Sequence, residues 1–99
     1  MNKRLLPLVA LFAFPAAAHF PTMECALTER HIDCKSGFSD GTGAPNYVIQ
    51  LFDYEDNLIE RQTSDQYSNT RFTRPEGEFY LVFDAGHEAP VEIDIVELL

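Results

Sequence analysis

The chain has 99 residues, and its 16 acidic side chains outnumber the seven basic ones to give a formal net charge of −9. A chain of this length forms one domain. The acidic balance argues against DNA or RNA as a partner, because binding to phosphates requires clustered lysine and arginine.

The first 18 residues have the pattern of a secretory signal peptide. Met1–Arg4 supplies a positive head, Leu5–Phe14 is an apolar run, and Pro15–Ala18 ends in the small residues that a signal peptidase reads. We expect cleavage just before His19, which leaves a single domain of residues 19–99 in the periplasm or outside the cell. The apolar run is too short for a membrane span of about 20 residues. We therefore expect a soluble protein that does not cross the membrane.

Both cysteines lie in the part expected to be exported, where thiols are oxidised. If Glu29–Arg30 forms the tip of a hairpin, Cys25 lies opposite Cys34, and Leu27 and Ile32 lie on the same apolar face. This arrangement predicts a Cys25–Cys34 disulfide. The alternative, a free thiol pair that binds a metal ion, has no recognised zinc-site spacing to support it.

Short apolar and alternating segments, separated by turns, follow the hairpin. They predict strands at Asn46–Tyr54, Leu58–Thr63, Thr70–Thr73, Glu78–Asp84 and Pro90–Val96. The first of these is apolar on both sides, so we expect it to be central in a sheet. Lys35–Ala44 is rich in glycine, serine and aspartate and predicts a loop. Together with the hairpin, the pattern favours an all-β fold, a small antiparallel seven-stranded β-sandwich.

Residue patterns that support catalysis are missing from the sequence, which has no H-E-x-x-H and no phosphate loop. Gly37–Gly41 has the letters G-x-S-x-G, but it lies in a segment rich in turn formers with no predicted helix after it, and a nucleophile elbow joins a strand to a helix. The acidic turn Asp53–Asp56 lacks the spacing of a calcium loop. No pair of carboxylates stands out among the 16 acidic residues. We therefore expect a protein that is not an enzyme.

The three histidines, His19, His31 and His87, all follow the expected cleavage point. Once it is the first residue, His19 can offer a free α-amine and a ring nitrogen to one metal ion. Imidazole is a good ligand for nickel, copper, cobalt and zinc, and His87 or His31 would supply a third ligand. The alternative is that these are ordinary surface histidines.

Several segments resemble a transthyretin-like (carboxypeptidase-regulatory-like) β-sandwich: Gly37–Pro45, Tyr47–Asp53, Asn57–Ile59, Arg74–Gly77 and Val82–His87. More closely, the chain is similar to periplasmic domains associated with nickel and cobalt uptake transporters. Those domains begin with a histidine just after the signal peptide, the position of His19 here. Their F-S-D-G segment corresponds to Phe38–Gly41, and their closing glycine loop corresponds to Asp84–His87.

Two functions therefore stay open. The resemblance implies an accessory protein that captures nickel, cobalt or copper through His19 and His87 and passes it to a membrane metal transporter or another envelope protein. The alternative is a metal-free module of the cell envelope that binds a protein or a glycan through a sheet face or edge. His19 at the expected cleavage point, together with His87 in the closing glycine loop, favours the metal-binding function. The lack of an evident third ligand and an acidic surface of the ordinary solvated kind favour the alternative.

Overall fold

The computed structural model describes residues 19–99, so the signal peptide predicted at residues 1–18 lies outside the described part of the chain. Seven strands follow one another: β1 (Pro21–Leu27), β2 (His31–Phe38), β3 (Val48–Asp53), β4 (Leu58–Thr63), β5 (Asn69–Thr73), β6 (Phe79–Phe83) and β7 (Val91–Asp94). A short 3₁₀ turn at Ile95–Glu97 comes last. Within residues 19–99, no helix has the length and hydropathy to cross a bilayer.

The strands form two antiparallel sheets. One has three strands in the order β1-β2-β5, and the other has four in the order β4-β3-β6-β7. The predicted all-β, seven-stranded β-sandwich is confirmed. β3 lies inside the four-stranded sheet, between β4 and β6, as its two apolar sides predict.

The core lies between the two sheets and follows the alternation of the strands. Every second residue of β6 is fully buried, and so are Ile49 and Leu51 on β3. The three-stranded sheet contributes the buried side chains of Met23, Ile32, Cys34 and Phe72. Each large apolar side chain removed from water in this way stabilises the fold by about 1.5–3 kcal/mol.

The β1–β2 hairpin has the predicted register, with Cys25 opposite Cys34. The two cysteines are joined by a disulfide, so that prediction is confirmed. At the tip, the Thr28 N–H donates to the His31 carbonyl at 2.9 Å, and the His31 N–H donates to Thr28 Oγ1 at 2.9 Å. Glu29 lies between these two residues in the exposed turn.

The hairpin is longer than the turn-forming residues indicate. The loop predicted at Lys35–Ala44 is wrong over its first residues, because β2 continues to Phe38 and pairs there with Pro21. The backbone of Ser36 is paired on its other side as well, donating to the Ser68 carbonyl at 3.0 Å. With partners on both sides, these backbone groups are satisfied in a strand.

The last strand is shorter than the alternation predicts. The strand predicted at Pro90–Val96 ends at Asp94, so its final two residues were wrongly assigned. The Asp94 carboxylate accepts from the Val96 N–H at 3.0 Å, and the Glu97 carboxylate accepts from the Asp94 N–H at 2.9 Å. This capping box starts the 3₁₀ turn and ends the strand.

Two buried serines fasten the loop that leads into β3. Ser64 Oγ donates to the Ala44 carbonyl at 2.6 Å and accepts from the Tyr47 N–H at 2.9 Å. Ser68 Oγ accepts from the Ala44 N–H at 2.8 Å. A Cβ on Gly43 would approach Ser68 Oγ to 2.7 Å, so any other residue there would displace that hydroxyl from its bond with Ala44. These contacts fix Tyr47 at the end of the sandwich that carries two of the histidines.

Candidate functional site

The position of His19 is set by its neighbour in the chain. The Phe20 N–H donates to Ser39 Oγ at 3.0 Å, and the Ser39 N–H donates to the Phe20 carbonyl at 2.9 Å. The second of these bonds continues the backbone pairing of β1 with β2 by one step, and the first adds a side-chain bond beside it. They hold the exposed His19 side chain beside the turn that follows β2.

That turn is the F-S-D-G segment. Asp40 Oδ1 accepts from the backbone N–H of Thr42 at 3.0 Å and from its hydroxyl at 2.7 Å. Gly41 has a φ of 93°, a conformation that favours glycine. The bonds from Thr42 lower the pKa of Asp40, and nearby His19 acts in the same direction. The turn thus places a carboxylate near the His19 ring.

His87 is presented by a second turn of the same kind. Asp84 Oδ1 accepts from the Gly86 N–H at 2.9 Å, and Gly86 has a φ of 95°. The exposed His87 ring has its Nδ1 3.3 Å from the Ala85 carbonyl oxygen. In the tautomer with a proton on Nδ1, that nitrogen donates to the carbonyl and the Nε2 lone pair is free to bind a ligand.

The fold brings the two histidine rings together. The centroids of the His19 and His87 rings are 6.0 Å apart. Both rings contact Phe38, at centroid distances of 5.8 Å from His19 and 6.2 Å from His87. Phe38 itself packs on Tyr47 at 5.7 Å and on the buried Phe83 at 5.9 Å. The two imidazoles therefore share an aromatic contact, Phe38, that packs against the core.

The separation of the rings suits a shared metal ion. With metal–nitrogen bonds of about 2.0–2.1 Å and roughly 1.1 Å from nitrogen to ring centre, two imidazoles on one ion have centroids no more than about 6.5 Å apart. The His19–His87 distance of 6.0 Å lies within this limit. Both side chains are exposed and can rotate to aim their nitrogens at one point.

His31 lies at the opposite end of the sandwich. It begins β2, opposite Thr73, whereas Phe38 ends the same strand. Seven residue steps at about 3.3 Å each separate the two ends by roughly 23 Å. The structure thus brings together two of the three histidines singled out by sequence. Among residues 19–99, no group of three or more histidine, cysteine or acidic side chains is arranged to hold a metal ion.

The acidic turn after β3 uses its carboxylates internally. Asp53 Oδ1 accepts from the Glu55 N–H at 2.9 Å and from the Asn57 N–H at 2.8 Å. These bonds lower the pKa of Asp53, with the Asn57 backbone bond as the largest cause. The Asp56 carboxylate accepts from the Tyr80 hydroxyl at 2.7 Å. The turn is therefore held by the same oxygens that a calcium ion would need.

The outer face of the three-stranded sheet forms an open groove of about 580 Å³, away from the paired histidines. Lys35, Glu24 and the Arg71–Asp33 ion pair line it. The guanidinium of Arg71 donates to Asp33 at 2.6 and 3.0 Å and lowers the pKa of that carboxyl. Because its charges have both signs and the strongest ones are already paired, the groove favours no particular ligand.

No protein-family model, curated protein or solved structure matches the chain. The resemblance to transthyretin-like domains and the association with nickel and cobalt transporters therefore stay predictions.

Proposed function

We propose that the mature protein captures a divalent transition-metal ion, nickel, cobalt or copper, at the end of the sandwich where His19 and His87 meet. It then passes the ion to a membrane metal transporter or another envelope protein. The observation that carries this proposal is the 6.0 Å separation of two imidazoles contributed by opposite ends of the mature chain. Metal ligands are expected where histidines converge in space.

The chemistry needs one ligand beyond the two side chains. Cleavage before His19 would free its α-amine, which can bind the same ion as its own ring and close a chelate. His87 Nε2 would complete a set of three nitrogens. Such a set suits copper, nickel and cobalt, with affinity rising from cobalt to nickel to copper.

The exposure of both rings supports a role in transfer rather than permanent storage. An ion on three nitrogens at a solvent-facing surface keeps positions open for water or for the ligands of a receiving protein. The excess of acidic residues, 16 against seven basic, attracts cations to the surface as a whole.

The side-chain part of the proposal is tested by titrating nickel, cobalt and copper into protein that begins at His19. We expect His87→Ala to weaken binding by about tenfold or more. Loss of one ligand removes at least about 1.4 kcal/mol of binding free energy, which corresponds to a roughly tenfold change in affinity. His31→Ala, at the opposite end of the sandwich, is the matched control and should leave the affinity unchanged. Equal affinities for His87→Ala and the parent would overturn the proposal.

A second candidate is the metal-free interaction module. The outer face of the four-stranded sheet favours it, because apolar side chains there are exposed, among them Val48 and Leu58 at 46% and 44%. The two candidates use different parts of the molecule and can be tested separately.

A further inference from the structure

Apolar side chains from three strands lie together on the outer face of the four-stranded sheet. The register places Phe52 beside Leu58 of β4 and beside Tyr80 of β6. The rings of Phe52 and Tyr80 stack, with centroids 5.3 Å apart and planes 15° from parallel. Val48 and Val82 point to the same face, because they alternate with the buried residues of β3 and β6. Gln50 lies between Val48 and Phe52 on this face, and Arg61 of β4 lies opposite Gln50.

This face departs from the usual pattern of an antiparallel sheet, whose solvent side is polar. Val48 is 46% exposed, Leu58 44% and Tyr54 41%. Scattered exposed apolar residues are ordinary, but adjacent ones on one sheet face mark an interaction surface. We call the set Val48, Phe52, Tyr54, Leu58, Tyr80 and Val82 the outer strip.

Carboxylates surround the outer strip. The Tyr80 hydroxyl donates to Asp56 at 2.7 Å, and the Tyr54 hydroxyl donates to Asp94 at 2.6 Å. These hydrogen bonds are the largest cause of the rise of both phenol pKa values to about 12. Glu92 lies opposite Val82 on β7 and adds a further negative charge to the rim.

Basic residues lie mostly on the other side of the molecule. Four of the five in residues 19–99 belong to the three-stranded sheet or to the segments that adjoin it: Arg30, Lys35, Arg71 and Arg74. Arg61, on β4, is the one on the outer face of the four-stranded sheet, where it lies opposite Gln50. The single ion pair in the described part of the chain, Arg71–Asp33, lies on the three-stranded sheet. The carboxylates around the outer strip therefore have no cation within ion-pair distance.

We propose that the outer strip docks an extended segment of a partner protein in which lysine or arginine alternates with apolar side chains. The apolar side chains would cover Phe52 and Leu58, and the cations would meet Asp56 and Asp94. Charge complementarity selects this occupant over nucleic acid or an anionic membrane, since both would be repelled.

A carbohydrate fits the same face less well. Both tyrosine hydroxyls already donate to carboxylates, and the Phe52 and Tyr80 rings face each other rather than forming a flat platform. The inference rests on the second candidate function, since it names the partner of an interaction module. It does not depend on metal capture: His87 follows the end of β6, whereas Tyr80 lies near the beginning of that strand.

The test is a nuclear magnetic resonance titration of isotope-labelled protein that begins at His19. The probe is a short synthetic peptide alternating lysine and leucine, and its matched control alternates glutamate and leucine. We expect the basic peptide to shift the amide signals of Phe52, Leu58 and Tyr80, with an affinity that falls as salt is added. The acidic peptide should shift none of them.

A pair of matched variants assigns the binding to the outer strip. The variant Leu58→Ser/Glu92→Gln should bind the basic peptide about tenfold more weakly, which corresponds to a loss of about 1.4 kcal/mol of binding free energy. The control Tyr67→Ser/Glu29→Gln removes an exposed apolar side chain and a carboxylate outside the strip, and it should bind like the parent. Thermal unfolding of both variants checks that each is folded.

The titration distinguishes a failure of the proposed basic partner from a failure of the interaction function itself. Equal weakening in both variants, or shifts spread over the three-stranded sheet, would overturn the outer strip as the docking site. If a neutral β-glucan oligosaccharide shifts the strip and the basic peptide does not, the proposed partner is wrong but the interaction function stands. If neither ligand shifts the strip, both are contradicted.

Discussion

Replacing Leu81 with alanine is expected to lower the free energy of unfolding by about 2–5 kcal/mol. Leu81 is fully buried at the centre of β6, between Leu51 of β3 and Ile93 of β7. Truncation loses the transfer free energy of the removed atoms and leaves a cavity that the paired strands cannot fully close. In so small a domain, that loss is a large part of the total stability.

Urea unfolding of the variant and the parent measures the effect. Val82→Ala is the matched control, because Val82 follows Leu81 on the same strand but points to the outer face, where it is only half-buried. We expect the control to cost clearly less than Leu81→Ala. A loss below about 0.5 kcal/mol for Leu81→Ala would contradict a buried core position, where such truncations cost several times more.

Replacing both cysteines with alanine is expected to cost about 2–3 kcal/mol. The disulfide closes a short loop, with a sequence separation of nine. It stabilises the fold mainly by restricting the unfolded chain, and for a loop of this length the loop-entropy relation gives about that value. A domain with a small core depends on such a cross-link.

The double variant Cys25→Ala/Cys34→Ala is compared with the parent by urea unfolding under oxidising and reducing conditions. Reduction of the parent removes the cross-link and keeps both sulfur atoms, so it separates the cross-link from the packing of Cys34 in the core. We expect no titratable thiol in the oxidised protein. Two free thiols, or no loss of stability on reduction, would contradict this role.

Local alternation made much of the fold predictable. The hairpin register followed from placing Glu29–Arg30 at the tip, because strand pairing then leaves one partner for each cysteine. Phe79, Leu81 and Phe83 were identifiable as core because all three are large and apolar and they lie on one side of an alternating segment. β3 was recognisable as central because both its sides are apolar.

The error at the start of the predicted Lys35–Ala44 loop arose because a contact distant in sequence decides the structure there. Ser36 reads as a loop residue, but its backbone pairs with Ser68 and its side chain is buried. Ser64 and Ser68 do lie in a loop, between β4 and β5, but both are buried and bond to the backbone of Ala44, which the sequence does not indicate. A single sequence shows the turn-forming tendency of serine, not the distant group that its hydroxyl will meet.

The candidate site was predictable in part. The sequence singled out all three histidines, and two of them meet, because the turns at Phe38–Gly41 and Asp84–His87 lie at one end of the sandwich. His31 is separated from them by the length of β2. Phe38, which supports both rings, was not singled out as a separate contributor, because an aromatic residue at a strand end is more often part of the core.

Calorimetric titration of nickel, cobalt and copper into protein with His19 as its authentic first residue tests metal capture most directly. The control is acetylated on the α-amine of His19, which converts that amine into an amide without supplying a new amine and without changing any described side chain. We expect binding with the authentic terminus and a loss of about tenfold or more in affinity in the acetylated form. Equal binding by both forms, or no binding by either, would contradict it.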